Sequence, residues 1–188
     1  WRPVRPVRKE EITTAMSELC VTVPVIETER LILREPRLSD LDAFVAFGQS
    51  ERAKFVGYPM LPWQSWNGLL IVMGHWIARG FGWWMLEDKA SGKTAGRVGI
   101  GYHLDWPESE LGWHLYDGFE GKGLAYEAAV AARNHAYLEM GFGPLISLVD
   151  NDNTASAKLA RKLGATPEAE TNIRGDACII FRHPKVIL

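Results

Sequence analysis

The chain has 188 residues, is 47% apolar and carries a formal net charge of −2. That length suits one domain with a substantial core, and the composition is that of an ordinary globular protein. The near-neutral charge argues against a general nucleic-acid binder. The longest apolar run, residues 69–78, is interrupted by Gly74 and His75 and is too short to cross a bilayer. The two cysteines, Cys20 and Cys178, form no CxxC pair and no disulfide framework, which points to a reducing cytoplasm.

In chain order, residues 1–9 are basic, hold two prolines and lack the apolar core of a signal peptide. Met16 followed by Ser17 suits a natural start. Residues 1–25 read as an N-terminal extension, poorly ordered or added to the natural chain, before a single domain over 26–188. Residues 31–33 predict a first strand. Ser39 with Asp42 predicts a helix start of capping-box type, and Leu41, Phe44 and Val45 follow at helical spacing. Residues 58–62 hold two prolines and break regular structure. From Ser65 the positions Trp66, Leu69, Leu70, Met73, Trp76 and Ile77 form one helical apolar stripe, closed by Gly80. The stripe suits core packing; Trp63 or Trp66 walling a pocket is the lesser alternative.

Residues 82–87 and 94–104 predict two strands joined by a hairpin over 88–93. A turn over 105–108 leads to a strand over 110–116. A helix over 123–140 ends at Gly141, and a short strand over 145–149 follows. Asn153 predicts the cap of a helix ending at Gly164, which suits a left-handed C-terminal position. Residues 177–181 give a last strand. This order implies an α/β fold with a mixed sheet and helices on its faces.

Between the strand over 110–116 and its following helix lies Phe119-Glu120-Gly121-Lys122-Gly123-Leu124-Ala125. A glycine turn that opens a helix leaves free backbone N–H groups where the helix dipole favours an anion. Taken alone, the turn suits either a phosphate or close packing by small residues. Ser91-Gly92-Lys93-Thr94 is no P-loop, because Glu87 stands where the motif needs glycine and a hairpin surrounds it. Gly96, Gly99 and Gly101 fit no dinucleotide fingerprint and suit a bulge or close backbone approach. The five histidines show no metal-ligand spacing, so no metal is expected.

Four marks in order resemble the GNAT acetyltransferases of the RimJ/RimL-like branch. They are Thr28-Glu29-Arg30-Leu31-Ile32-Leu33-Arg34, Glu110-Leu111-Gly112-Trp113-His114-Leu115, the turn Glu120-Gly121-Lys122-Gly123-Leu124-Ala125, and Asp152-Asn153-Thr154-Ala155-Ser156 running on to Ala165. The resemblance covers residues 28–184. It implies a mixed, mostly antiparallel sheet with one splayed strand pair, with acetyl-CoA as co-substrate and no metal. It also implies that the amides of Gly121, Lys122, Gly123, Leu124 and Ala125 cradle the pyrophosphate. The pantetheine arm would lie beside Trp113, His114 and Leu115 and bond Asn153, with Ser156 near the thioester sulfur.

Two positions depart from the family pattern. Glu120 replaces the usual Gln or Arg, so it must point away or be offset by Lys122. Ala160 stands where many members carry a tyrosine that protonates the leaving thiolate; the resemblance makes Ser156 the candidate substitute, its alternative being a plain first-turn helix residue. Acetyl transfer needs a neutral amine and stabilisation of the developing oxyanion, for which a backbone N–H of residues 113–115 is expected. Glu110 is the foremost base, with its alternative a solvated strand-end carboxylate; His114, His103 and Asp105 are weaker. Tyr58, Trp63, Trp66, Trp83 and Trp84 suit an aromatic acceptor pocket or core. The expected partners are acetyl-CoA and a primary amine, either a peptide N-terminus or a small amine. A homodimer is possible, and neither nucleic acid nor membrane is expected. A non-catalytic acyl-CoA sensor on the same fold is the alternative.

Overall fold

The computed structural model describes residues 21–57 and 59–185. Most of the expected extension over 1–25, together with Cys20 and Tyr58, lies outside the described residues. Where the description begins, the chain is already tied to the body: the Trp84 indole N–H donates to the Pro24 carbonyl at 2.7 Å.

The strands are β1 (Ile26–Glu27), β2 (Leu31–Arg34), β3 (Trp83–Asp88), β4 (Thr94–Gly101), β5 (Glu110–Leu115), β6 (Ile146–Asp150), β7 (Thr166–Ile173) and β8 (Asp176–Arg182). The α-helices are α1 (Leu41–Gly48), α2 (Pro62–Arg79), α3 (Leu124–Leu138) and α4 (Thr154–Lys162). The strands form one eight-stranded sheet in the order β1-β2-β3-β4-β5-β6-β8-β7. Every neighbouring pair is antiparallel except β5 and β6, which run parallel. Side-chain alternation sorts the core between the faces. Trp83, Met85 and Tyr116 meet Phe44 and Phe47 of α1 and Leu69 and Val72 of α2. Trp84, Leu86, Val98 and Ile100 meet the alanines of α3, whose small side chains let that helix lie close to the sheet.

Three local expectations change. Ser39 lies in a short 3₁₀ turn, Leu38–Asp40, and caps nothing. Asp40, the residue before α1, turns its side chain back over the 3₁₀ turn instead: it accepts from the Arg37 N–H at 2.8 Å and pairs, buried, with Arg34 at 2.8 Å. Helix α2 starts at Pro62, where the missing N–H costs nothing, and buries Ser65, Leu69, Val72 and Trp76. Trp66, Leu70 and Ile77 of the predicted stripe are 39–50% exposed. The buried face is the one that meets α1 closely: Gly48 leaves room for Ser65, whose hydroxyl would lie 2.6 Å from a Cβ at that glycine. Strand β7 is an addition. Its Pro167 and its exposed Glu168 and Glu170 give it little strand character, and it is an edge strand paired only to β8.

Candidate active site

β5 and β6 bridge only where Glu110 meets Ile146. The Ile146 N–H donates to the Ser109 carbonyl at 3.2 Å. One step further, side chains take over the ladder. The Leu148 N–H donates to Glu110 Oε1 at 3.1 Å, and the Ser147 hydroxyl donates to the Leu111 carbonyl at 2.6 Å. His183 Nε2 lies 2.9 Å from the same hydroxyl and donates to it, with its ring held neutral because burial lowers its pKa to about 4. Beyond this clasp the strands part.

On the other side of β5 the Tyr116 N–H donates to the Ala95 carbonyl at 2.9 Å. Backbone alternation therefore turns the polar groups of Trp113 and Leu115 towards β6, and those of His114 towards β4. Arg52 Nε occupies the Leu115 carbonyl at 3.0 Å. The N–H groups of Trp113 and Leu115 and the Trp113 carbonyl are left facing the wedge. The cleft that contains this wedge has a volume of about 1070 Å³.

The glycine turn stands at one end of the cleft. Gly121 and Gly123 adopt left-handed φ values of 72° and 80°. A Cβ at Gly121 would meet nothing within 4 Å, and one at Gly123 only Arg30 Nη2 at 3.6 Å, so the turn presents bare backbone outward. The first bond of α3 runs from the Glu127 N–H to the Gly123 carbonyl at 3.1 Å. The amides of Leu124, Ala125 and Tyr126 thus have no partner within the helix. This is a cradle suited to a pyrophosphate.

A buttress holds the turn from below, and sequence reasoning missed it. Glu127 accepts from Thr28 Oγ1 at 2.6 Å, the Arg30 N–H at 2.8 Å and Arg30 Nε at 2.7 Å. Arg30 Nη1 then donates to the Lys122 carbonyl at 2.8 Å. The available signal was an arginine in the opening mark and an acid in the first turn of α3. Lys122 sends its ammonium to the Gly118 carbonyl at 2.6 Å rather than to Glu120. Glu120 is exposed and lies 3.4 Å from Arg52 Nη1. Its own backbone amide, and then the charge of Arg52, hold its pKa below the usual carboxylate range.

On the far wall Asn153 caps α4, accepting from the Ser156 N–H at 3.0 Å and leaving its amide nitrogen available. Asn153 and Ser156 both line the cleft. Ala160 is fully buried with Val149, Ala165 and Phe181 and offers no hydroxyl. The Tyr116 hydroxyl is sealed in the core without a hydrogen-bond partner.

Glu110, Gly112 and His114 alternate onto the α1/α2 face of β5 and line the cleft. Gly112 is required there, because a Cβ would collide with the Trp83 indole. Glu110 Oε2 accepts from the Trp106 indole at 2.6 Å, and burial raises the carboxyl's pKa against that bond and the one from Leu148. His114 lies flat on Trp83, with ring centroids 5.4 Å apart. Arg97 Nε donates to His114 Nδ1 at 2.7 Å. A guanidinium has no acceptor, so the ring proton of His114 sits on Nε2. Burial, then the charge of Arg97, keep that ring neutral far below its ordinary pKa. His114 is thus a donor, with no free lone pair to act as a base. Asp105 is bound to Arg174 at 2.6 Å, and His103 packs edge-on to Trp106 with its pKa lowered by burial.

Of the aromatic residues expected around an acceptor, Trp83 lines the cleft. Trp84 is buried on the other face against Trp76, and Trp63 and Trp66 are exposed on α2 outside the cleft. Phe47, Phe55, His75 and Trp106 line it instead, brought there by α1, the following loop, α2 and the 105–108 turn.

A sheet parted at one parallel pair, with a bare glycine turn at its mouth, defines an acyltransferase architecture of the GNAT type. Residues 30–166 match the family described as "Acetyltransferase (GNAT) domain". The chain belongs to the GNAT acetyltransferase family. It is similar to an acetyltransferase from Agrobacterium tumefaciens, with a TM-score of 0.80 and 33% identity over 89% of this chain and 98% of that one. The ribosomal L7/L12 alpha-N-protein acetyltransferase RimL in complex with coenzyme A shares the fold, with a TM-score of 0.69 and 17% identity over 85% of this chain and 97% of that one. An uncharacterised Bacillus subtilis protein, YkkB, is 31% identical over 54% of this chain, a match that spans 58% of that relative. Among the described residues no helix is long and apolar enough to cross a membrane.

Proposed function

We propose that the protein transfers the acetyl group of acetyl-CoA to a primary amine, by direct attack within a ternary complex. The observation that carries this reading is one continuous cleft with three parts. The bare turn at residues 121–125 lies at one end, the unpaired amides of Trp113 and Leu115 in the middle, and the half-buried carboxyl of Glu110 on the acceptor side. Acetyl-CoA supplies the activated acetyl group. The turn amides and the N-terminus of α3 hold its pyrophosphate, and Arg52 offsets Glu120 beside them. Asn153 and the free backbone of β5 align the pantetheine arm.

The amine attacks the thioester carbonyl, a C–N bond forms and the C–S bond breaks. Glu110 receives the proton that the amine gives up, directly or through water. An unpaired N–H of Trp113 or Leu115 steadies the carbonyl oxygen. The Ser156 hydroxyl hydrogen-bonds the departing sulfur, which leaves as the thiolate and becomes the CoA thiol by taking a proton from water, while Glu110 returns the amine's proton to solvent. The acceptor is a peptide N-terminal α-amine or a small amine.

A thiol-release screen across N-terminal peptides and small amines tests the reading: at least one acceptor should drive CoA release and appear as its N-acetyl product. Tight acetyl-CoA binding with no turnover on any amine would leave the sensor alternative standing. Ser156→Ala should lower kcat by roughly tenfold to a hundredfold, with a smaller change in the KM for acetyl-CoA. A change confined to that KM would move Ser156 from the sulfur to the binding of the arm.

A further inference from the structure

Arg97 is the one cleft-lining arginine among the described residues without a carboxylate within 4 Å. Arg52 has Glu120 at 3.4 Å, and Arg174 has Asp105 at 2.6 Å. Arg97 extends from the middle of β4 into the acceptor side of the cleft, opposite His114. Its guanidinium carbon lies 4.5 Å from the Phe44 ring centroid and 5.3 Å from that of Trp83. Its Nε is spent on His114 Nδ1 at 2.7 Å. Neither terminal nitrogen has a hydrogen-bond partner among the described residues, and Arg97 is only half-buried where it lines the cleft. The aromatic rings fix the plane of the guanidinium and exclude water from its flanks, so a rigid two-pronged donor faces the cleft. The Nε2–H of His114 adds a further donor on the same wall. Such a cation is poorly compensated by the protein itself, and the structure keeps the side that a ligand can reach open.

We propose that Arg97, with His114, recognises a carboxylate on the acceptor, so that the substrate is an amine bearing a carboxylate close to its reacting nitrogen. The inference rests on the acetyltransferase reading and narrows its acceptor. Gly112 lies two residues from His114 on the same face of β5, roughly 7 Å along the strand. The Trp83 indole covers Gly112 itself, so an amine reaches the site from the wedge edge beside the unpaired Trp113 N–H, next to His114 in β5, with its carboxylate a few bonds away at Arg97. That chemistry has two sources, the α-carboxylate of a free amino acid and an acidic side chain early in a peptide.

Matched acceptor sets separate these sources. The first is phenylalanine, phenylalaninamide and phenethylamine; the second is a pair of C-terminally amidated alanyl peptides with aspartate or asparagine second. In one set the carboxylate member should exceed its neutral partners about tenfold or more in kcat/KM, as a charged hydrogen bond warrants. Arg97→Met should collapse that ratio towards one, through the KM of the carboxylated acceptor. Equal use of charged and neutral members by the wild type, or a preference that survives Arg97→Met, would overturn the proposal and leave Arg97 a packing element between Phe44 and Trp83. Should Arg97→Met fail to fold, the wild-type ratio decides alone. Should no acceptor turn over, the acetyltransferase reading fails separately. Thermal shifts with the same compounds then test recognition: stabilisation by carboxylated members alone supports it, and equal or absent shifts reject it.

Discussion

Glu110 joins architecture to chemistry in one side chain. Its Oε1 takes the Leu148 N–H that β5 would otherwise have to satisfy, and burial raises the pKa of this carboxyl, which lines the cleft. A raised pKa means that the base form is lost at a higher pH than for a solvated carboxylate. The acid limb of kcat/KM should therefore lie above the ordinary carboxylate range, with activity falling as pH drops through it. Glu110→Gln should abolish that limb and reduce kcat/KM about a hundredfold; a limb that persists unchanged in the variant would assign it to another group. His183 titrates in the opposite sense. Its pKa falls from 6.5 to about 4 on folding. Stability should therefore be intact above pH 6.5 and decline towards pH 4, by up to about 3 kcal/mol. Denaturant melts across that window test this, and His183→Gln should remove the slope. Glu110, Asn153 and Ser156 are legible in the sequence because each sits at the start of a strand or helix. Arg97 is not, because its meaning depends on the β4/β5 register that sets it against His114.

At the scale of elements, the glycine turn is braced by the β1/β2 connection. Thr28 and Arg30 converge on Glu127, and Arg30 reaches on to the Lys122 carbonyl. Glu127→Ala should free that carbonyl and cost about 1–3 kcal/mol of stability. It should also raise the KM for acetyl-CoA several-fold while leaving the selectivity among acceptors as it is. An unaltered KM, measured by thiol release, would show that the turn needs no support from Arg30. Gly123→Trp should be harsher, since it forces a bulky residue to φ 80° and fills the outward face of the turn. Acetyl-CoA binding should be lost in calorimetry even where the fold survives. Elements with strong periodicity or clear punctuation, β2 to β6, α3 and α4, are readable from the chain. The rotation of α2 is not, because several of its flanks are apolar and the choice falls to tertiary contacts such as those of Gly48 with Ser65 and Gly68 with Phe44. Strand β7 is hidden because ladder bonds to β8, rather than its own residues, make it a strand.

For the molecule as a whole, the sheet is two blocks, β1 to β5 and β6 to β8, joined through one bridge at Glu110 and Ile146. The clasp of Ser147, His183 and the Glu110 carboxyl reinforces that bridge at the root of the wedge. Beyond it the opposed backbone groups of β5 and β6 have only side chains or solvent to meet. A ligand that spans the wedge should therefore act as the missing ladder and couple the blocks. At a hundred times its Kd, acetyl-CoA should stabilise the fold by about 2.7 kcal/mol, which for a chain of this size raises Tm by roughly 5–10 °C. Amide exchange should slow most at Trp113 and Leu115, whose N–H groups face the wedge, and at the turn amides of residues 121–125. The amides of β7, on the far edge, should change little. Uniform slowing across the sheet would indicate stabilisation without coupling at the wedge. No slowing at Trp113 and Leu115 would mean that the bound molecule does not lie between β5 and β6.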